Sequence, residues 1–510
     1  LSLFAEVHHN TIFGANVYSG KTSEISFQSI SNLFHPSTIY TSFIPNQQGV
    51  TDGIKIKDTS SGKFVWNLKP HSDRLVHFTQ NELKFVAKVF ENSDNWECAK
   101  LVTIHSSSII NVLEKLSAFG SSIHDFQFKI TEGWHETNDV DCGIIKRSTL
   151  VPDIEKYQMI YSGPHIYVSN PLYKTPLAKC KLNSDYDIIS HTLTNEDYIA
   201  RTNYIPHLNI EAFPNLISGF LLGIENENGN ELYDKWIDYH KVGFRKMLSL
   251  AGERTLNPSI LLPKTTHTNG IISVIFKDIK HLIELTAIAS SIVLDFFIKT
   301  VGASNLTDSR LSAFPLGIDE KFKATLFSRA LQLNCLNKYY APLWEQNYDQ
   351  VYNEDRWSKN DSRLKSFTSL SRKWQWNIAL RNWYERRQAL VEIDVITSMA
   401  LGLTLEELIL IYKAQFPVLQ QNEDDTWYDT QGNIVFTCSK GLVGVGVDRP
   451  VWEDIRNLKQ GESYTHTITK SELYYGKQIT YYAPFDKCDR VEDYKVAWKH
   501  FEQLFNEDLG

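Results

Sequence analysis

Residues 259 to 301 read SILLPKTTHTNGIISVIFKDIKHLIELTAIASSIVLDFFIKTV, and this stretch decides the fold prediction. It begins with a short apolar run, Ser259–Pro263, and a second run, Gly270–Phe276, follows after a polar loop. Both runs have the length and composition of strands. Ile279–Val301 then contains an apolar helix. Helix and strand are mixed here without a regular strand–helix–strand alternation, which predicts an α+β class.

The most apolar segment of the chain is Leu285–Leu294, bounded by Glu284 and Asp295. A helix needs roughly 20 apolar residues to cross a bilayer, and this segment is far shorter. We interpret it as part of a buried core helix. No signal peptide is visible, so we expect a cytoplasmic protein with no membrane partner.

Further elements are predicted on both sides of this stretch. Upstream, Glu231–Leu250 has apolar residues at helical spacing, and residues 165–169 (HIYVS) are typical of a strand. Nearer the amino terminus, Phe64–Pro70 is predicted to be a strand, whereas Glu82–Glu91 and Ile109–Phe119 are predicted to be helices.

The last hundred residues carry a helix pattern at Thr404–Phe416 and a hairpin signal at Trp427–Thr437. A chain of 510 residues is too long for one core, because domains average roughly 100–200 residues. We therefore predict four units, with boundaries at residues 1–165, 166–335, 336–400 and 401–510.

Charge and cysteine content exclude few functions. The net charge is −8, yet an acidic protein can still bind nucleic acid if its cations are gathered in one groove. The six cysteines form no CxxC pair and no zinc-like spacing with histidine. We interpret them as reduced thiols and predict no metal site.

One local motif suggests catalysis. Asn170-Pro171-Leu172-Tyr173 resembles the Asn-Pro-Pro-Tyr of adenine-N6 methyltransferases, in which the Asn side chain and the first Pro carbonyl accept the amino hydrogens of a flipped adenine. Here Leu172 replaces the second Pro. No glycine-rich cofactor turn precedes the motif. The structural alternative is a proline turn, and we predict no catalytic residue in this chain.

Other catalytic patterns are also incomplete. The glycines at 441, 444 and 446 have the reverse order of a dinucleotide fingerprint. The loop at Gly14–Thr22 is one residue too long for a phosphate-binding loop. The chain also begins with Leu1 inside a strand-turn-strand pattern that extends to Tyr18, so we expect that it is cut from a longer protein.

Two regions have residue types that suit DNA. Arginine and asparagine pair with guanine and adenine edges, and lysine with phosphate. In the middle unit the candidates cluster in two proline-punctuated loops, and they are Arg201, Asn203, Tyr204, Arg254, Lys264, His267 and Asn269. The alternative is a pair of ordinary connecting loops.

The second region is Ser371–Leu390, SRKWQWNIALRNWYERRQAL. If it forms one helix, its tryptophans can pack inward while the basic residues lie at the flanks. The candidates for phosphate contact are Arg372, Arg381, Arg386 and Arg387. The alternative is a solvated helix face whose arginines pair with Glu385 and Glu392.

Several of these stretches resemble parts of a known protein family. AGERTLNPSILLPKTTHTNGIISV, residues 251–274, resembles the target-recognition region of large bacterial adenine-specific DNA methyltransferases. That group includes type IIG restriction–modification enzymes and the methylases of the BREX and DISARM phage-defence systems. Residues 198–207 resemble the same region, and Ile411–Gly446 and Ala483–Phe501 resemble the carboxyl-terminal part of such methylases. The opening stretch, residues 3–18, resembles strands that follow the Asn-Pro-Pro-Tyr motif.

The resemblance implies a role for each unit. Residues 1–165 would be the tail of the methyltransferase domain, residues 166–335 the target-recognition domain, residues 336–400 a helical spacer and residues 401–510 a carboxyl-terminal domain. S-adenosylmethionine would bind only in the full-length enzyme, and this fragment would hold no cofactor. The partners would be double-stranded DNA, the missing amino-terminal methyltransferase domain and other defence-system proteins.

Two other functions stay open. The first is a self-contained methyltransferase that uses Asn170–Tyr173. The second is a non-catalytic module that docks partner defence proteins.

Overall fold

The structure is a computed structural model of the chain. It describes residues 14–20, 24–44, 51–91, 93–182, 184–207, 218–225, 231–249, 252–302 and 304–507. The strand, turn and strand predicted from Leu1 to Tyr18 lie outside these residues, except for positions 14–18, which form neither helix nor strand.

The amino-terminal third alternates short strands with helices. Its strands are β1 (Ser26–Ser29), β2 (Lys55–Lys57), β3 (Phe64–Trp66), β4 (Val76–Thr79), β5 (Phe128–Thr131), β6 (Ile145–Leu150) and β7 (Ile160–Tyr161). Its helices are α1 (Ser37–Ser42), α2 (Gln80–Glu91), α3 (Ser108–Ala118) and α4 (Asn138–Asp141).

The middle of the chain is mostly strand and then mostly helix. Its strands are β8 (Lys174–Pro176), β9 (Tyr186–Ile188), β10 (Thr202–Pro206), β11 (Ser218–Glu225), β12 (Glu231–Lys235), β13 (Lys241–Arg245), β14 (Pro258–Leu261), β15 (Thr266–His267) and β16 (Ile271–Phe276). Its helices are α5 (Ile279–Ala289), α6 (Ile292–Val301), α7 (Asp308–Leu311), α8 (Glu320–Asn334) and α9 (Ala341–Asn347).

The carboxyl-terminal part combines helices with two hairpins. Its helices are α10 (Trp383–Ala400), α11 (Leu405–Gln415), α12 (Pro417–Asp424), α13 (Arg449–Ile455) and α14 (Arg490–Glu507). Its strands are β17 (Thr426–Tyr428), β18 (Ile434–Thr437), β19 (Ser463–Thr467) and β20 (Gln478–Tyr482). The architecture is α+β, as the sequence predicts.

The central element is an antiparallel sheet of order β14-β13-β16-β5. All six residues of β16 are buried, which explains why its sequence is a continuous apolar run rather than an alternating one. Helix α5 packs on β13, β14 and β16. The strands predicted at Ser259–Pro263 and Gly270–Phe276 are therefore confirmed as β14 and β16.

The apolar helix predicted at Ile279–Val301 is two helices. Helices α5 and α6 are bent by 72° at Ser290 and Ser291. The Ser290 hydroxyl donates to the Thr286 carbonyl, 2.7 Å away, and the Ser291 side chain caps α6. Adjacent serines are a common cause of such a break. The interpretation as buried core helix is confirmed, because Leu285 is fully buried and Leu294 is 1% exposed.

In the ranges that the structure describes, no single helix has the length and apolar composition needed to cross a membrane. The bent pair α5–α6 meets that requirement only when its two helices are taken together.

The prediction of a helix at Glu231–Leu250 is wrong. This segment forms β12, a 3₁₀ turn at Trp236–Asp238, and then β13. Val242 and Phe244 are fully buried in the sheet, between β14 and β16. Burial in a sheet decided the structure here, although the apolar residues of the segment also fit a helical period.

The single helix considered at Ser371–Leu390 is also wrong. The α-helix starts only at Trp383, and Asn382 is its N-cap, accepting a hydrogen bond from the Glu385 amide at 2.7 Å. Between Ser371 and Asn382, the regular structure is only a 3₁₀ turn at Trp376–Ile378. An asparagine at an N-cap is the ordinary helix-start signal.

The other predicted elements are confirmed, with small shifts at their ends. They are the strand β3, the helices α2, α3 and α11, and the hairpin β17–β18. The largest cluster of buried hydrophobic residues runs from Val76 to Phe505 and includes residues of all four predicted units. The unit boundaries stay a prediction.

Candidate nucleic-acid interface

A cleft of about 1150 Å³ opens between parts of the chain that are far apart in sequence. Its lining comes mainly from residues 162–186, 245–257 and 418–441. Lys55 and Arg147 add to it from the amino-terminal third. This volume would accept a ligand of nucleotide size or larger.

The lining of the cleft is basic, although the whole chain carries a net charge of −8. Only two described acidic residues line it, Glu136 and Glu253. Eight described basic residues do so, and they are Lys55, Arg147, Lys174, Lys181, Arg245, Lys246, Arg254 and Lys440. We call this feature the basic cleft.

Most of these cations have no acidic partner among the described residues. Lys246 pairs with Glu132 at 2.7 Å, and Arg254 pairs with Asp295 at 2.6 Å. For the other six, no carboxylate within the described ranges lies within 4.0 Å, and these six are Lys55, Arg147, Lys174, Lys181, Arg245 and Lys440. Clustered cations without internal partners attract polyanions.

Arg245, the last residue of β13, is held in a fixed position within the cleft. Its Nε donates to the carbonyls of Gly163 at 2.9 Å and Ile166 at 2.8 Å. The guanidinium carbon lies 5.5 Å from the ring centroid of Tyr167 and 5.4 Å from that of Tyr173. Burial lowers the pKa of Arg245. Such a cation–π arrangement offsets part of the cost of removing a charge from water.

Aromatic side chains line the same wall. Tyr167 and Tyr173 are stacked, with ring centroids 4.9 Å apart. The Tyr173 hydroxyl donates to the Gly441 carbonyl and so joins this wall to the carboxyl-terminal part. Burial raises the pKa of Tyr173 to about 12, so its hydroxyl stays a donor at neutral pH. Tyr186 and Tyr204 also line the cleft. Aromatic faces beside cations are typical of surfaces that bind nucleic-acid strands.

Glu253 is an acidic group within this basic surface. Its Oε2 accepts hydrogen bonds from Asn422 Nδ2 at 2.7 Å and Ser439 Oγ at 3.0 Å. Burial raises its pKa. These two bonds connect the loop before β14 with the α12–β18 region across the cleft, so Glu253 holds the two walls together.

Four of the residues predicted for DNA contact line the basic cleft, and they are Asn203, Tyr204, Arg254 and Asn269. The side chain of Asn203 is engaged by Thr149 and Tyr186 at 2.8 and 3.0 Å. Arg254 is 7% exposed and donates to Asp295 and to the carbonyls of Ser290 and Ser291. Asn269 is partly exposed, and no hydrogen bond of its side chain is found within the described residues. Of these residues, Asn269 is the most available to a ligand, because Tyr204 is only 9% exposed.

Three predicted residues do not line the cleft. Arg201 donates to Glu472 at 2.6 Å and to the Pro176 carbonyl at 3.2 Å. Lys264 pairs with Glu155 on the surface. His267 is fully buried, and its Nε2 lies 2.7 Å from Ser273 Oγ. In this structure the donors of all three are directed at protein partners.

Buried histidines give a testable pH dependence. Burial lowers the pKa of His267 and of His105 from 6.5 to about 4, and that of His240 from 6.5 to about 3. Below pH 6.5 the unfolded chain binds protons that the folded protein does not. We expect the urea unfolding midpoint to fall as the pH is lowered from 6.5 to 5, a window above the ordinary range of carboxylates. A midpoint that stays constant there would contradict the neutral, buried state of these rings.

The four arginine candidates of Ser371–Leu390 lie away from the cleft. Arg381 donates to the carbonyls of Trp376, His191 and Leu336. Arg372 is exposed and donates to the Glu345 carbonyl at 3.2 Å.

The remaining two are buried cross-links. Arg386 is 4% exposed and donates to the carbonyls of Leu333, Leu380 and Ser169, and burial lowers its pKa to about 9. Arg387 pairs with Glu423 and Asp493. Because their donors are taken up inside the protein, we leave Arg381, Arg386 and Arg387 out of the interface proposed below.

The Asn170–Tyr173 segment lies at the wall of the basic cleft, but the strand predicted before it is wrong. Residues Gly163–His165 form a 3₁₀ turn, and Ser169 has a φ of 46°. The Asn170 side chain is turned to its own backbone and accepts a hydrogen bond from the Leu172 amide at 3.3 Å. In the described part of the chain the only parallel ladder joins the two-residue strands β7 and β15.

Sequence reasoning missed most of the cleft. Because a helix was predicted at Glu231–Leu250, Arg245 was not singled out as a site residue. The alternation of polar and apolar residues in KVGFR would have indicated a strand. Nothing local indicates that Lys55 and Lys440 share one surface. Among the described residues, no group of three His, Cys, Asp or Glu side chains could hold a metal ion.

Comparison with known proteins gives no further assignment. No protein-family model matches the chain, and no curated protein is similar to it.

Proposed function

We propose that this chain is the DNA-recognition part of an S-adenosylmethionine-dependent adenine-N6 DNA methyltransferase of a restriction–modification or phage-defence system. The observation that carries the DNA-binding part is the basic cleft, in which eight cations line one surface of an acidic protein. The methyltransferase part rests only on sequence resemblance, chiefly that of residues 251–274, with residues 198–207, Ile411–Gly446 and Ala483–Phe501 in addition. In this proposal a separate domain supplies the cofactor and the catalytic motif.

The residues that line the cleft suit DNA as a ligand better than they suit a protein partner. Cations without acidic partners among the described residues suit phosphates, and the partly exposed side chains of Tyr167, Tyr186 and Asn269 suit bases. A docking site for another protein would instead have an apolar centre, with charged residues depleted there. The docking module therefore stays the second candidate, because the described residues of this cleft include few aliphatic side chains.

The experiment is duplex binding by a cleft variant. We expect the Lys55→Ala, Lys181→Ala and Lys440→Ala triple variant to bind a duplex at least about 10-fold more weakly than wild type, because each phosphate contact adds to the affinity. Fluorescence anisotropy of a labelled duplex at low salt measures this change.

A matched control removes the same charge elsewhere. Lys373, Lys459 and Lys499 are exposed and do not line the cleft. Their triple alanine variant should bind the duplex as wild type does. Equal weakening by both variants would contradict the cleft as the binding surface, and no duplex binding by wild type would exclude the DNA proposal for this chain.

A further inference from the structure

We propose that Arg245 and Lys174 form a specific site for one phosphate group in the basic cleft. That this phosphate belongs to a DNA backbone rests on the proposed function. The chemistry of the site does not, because a free nucleotide would offer the same group.

The position of Arg245 is the first support. Two carbonyls hold its Nε, and no hydrogen bond from its terminal nitrogens to a described residue is found. These nitrogens are not among the buried unpaired atoms, so they are open to the cleft. A planar guanidinium that is anchored at Nε presents its remaining donors in a fixed geometry that matches phosphate oxygens.

Two uncompensated cations lie against one ring. Lys174 Nζ is 5.0 Å and the Arg245 guanidinium carbon is 5.4 Å from the ring centroid of Tyr173. Burial lowers the pKa of Lys174, and the charge of Arg245 lowers it further. No described carboxylate pairs with either cation. An anion close to both cations would weaken this repulsion.

A buried acceptor beside Arg245 is the second, independent support. Asn257 lines the cleft and is 4% exposed, and its Oδ1 has no hydrogen-bond partner. The Arg245 amide donates to the Asn257 carbonyl at 3.4 Å, so the two residues are neighbours. An unpaired buried acceptor is costly unless a ligand supplies a donor. A nucleotide combines a phosphate with amino or hydroxyl donors, and inorganic phosphate or sulfate supplies no such base or sugar group.

The experiment measures the binding of three probes to the 510-residue chain. The probes are inorganic phosphate, AMP and a labelled duplex, each compared with chloride at equal ionic strength. The variants are Arg245→Gln and Lys174→Met, and the control is Lys499→Ala, which removes an exposed charge that does not line the cleft. Thermal unfolding identifies a variant that fails to fold. The Lys174 side chain donates no hydrogen bond to a described residue, so Lys174→Met keeps the test valid if Arg245→Gln is unstable.

We expect both variants to lose on the order of 10-fold or more in affinity for at least one probe, whereas Lys499→Ala keeps the wild-type affinity. If AMP or phosphate shows the loss, the site accepts the free ligand; if only the duplex shows it, the site holds a backbone phosphate. If AMP binds through Arg245 while wild type binds no duplex, the phosphate site stands and the proposed DNA function fails. Folded variants that bind all three probes as the control does would overturn the phosphate site.

Discussion

Replacing Arg254 by Ala is expected to lower the free energy of unfolding by about 3–5 kcal/mol, because it leaves a buried charge without its partner. Asp295 is fully buried and accepts hydrogen bonds from Arg254 Nε at 2.6 Å and from the Thr255 amide at 3.1 Å. The guanidinium also satisfies the carbonyls of Ser290 and Ser291 at 2.7 and 3.1 Å. The shift of the urea unfolding midpoint measures this loss.

The control is an arginine whose ion pair is exposed to solvent. Arg201 and Glu472 have side chains that are 29% and 40% exposed, so Arg201→Ala should cost less than about 1 kcal/mol. The sequence alone assigned Arg254 to base or phosphate contact. If Arg254→Ala kept wild-type stability but changed the sequence preference of duplex binding, that assignment would hold and the structural role would fail.

The second large effect is the salt dependence of duplex binding. Six cleft cations without described acidic partners predict a slope of about −5 for log affinity against log salt, since each phosphate contact contributes about −0.9. Raising the salt concentration from about 50 to about 200 mM should then weaken binding about 10³-fold. Anisotropy titrations of one labelled duplex across that range measure the slope.

The cleft variant supplies the internal control for this slope. Removing Lys55, Lys181 and Lys440 should make the slope less steep by about 3, again at about 0.9 per contact. The variant of Lys373, Lys459 and Lys499 should leave the slope unchanged. A wild-type slope near zero would show that the cleft cations do not contact phosphates.

Local sequence patterns correctly predicted those helices and strands whose apolar or capping residues are recognisable within the segment itself. Strand β16 and helix α11 could be found because their sequences favour one structure. The first is a short apolar run of strand length, and the second begins with a capping box in which Thr404 accepts from the Glu407 amide. The segment Glu231–Leu250 fits two periods, and contacts with β14 and β16 decided between them.

The site was harder to predict, because sequence does not show what partner a cation has. Arg386 and Arg245 are both arginines near aromatic residues, yet the first donates to three carbonyls and the second opens to the cleft. That difference depends on residues far away in the chain, such as Ser169 for Arg386 and Gly163 for Arg245. Asn203 and Tyr204 in β10, and Asn269 in the loop before β16, were found because these segments happen to form the cleft wall.

The bend between α5 and α6 has a consequence for the cleft. At this bend the carbonyl end of one helix dipole meets the amide end of the next, and Arg254 lies at the former while Asp295 lies in the first turn of the latter. Each charge has the sign that its helix end favours. The loop that carries Glu253 is thereby anchored to two helix termini in the core. A ligand that enters the cleft meets a preorganised wall, and little conformational entropy is lost on binding there.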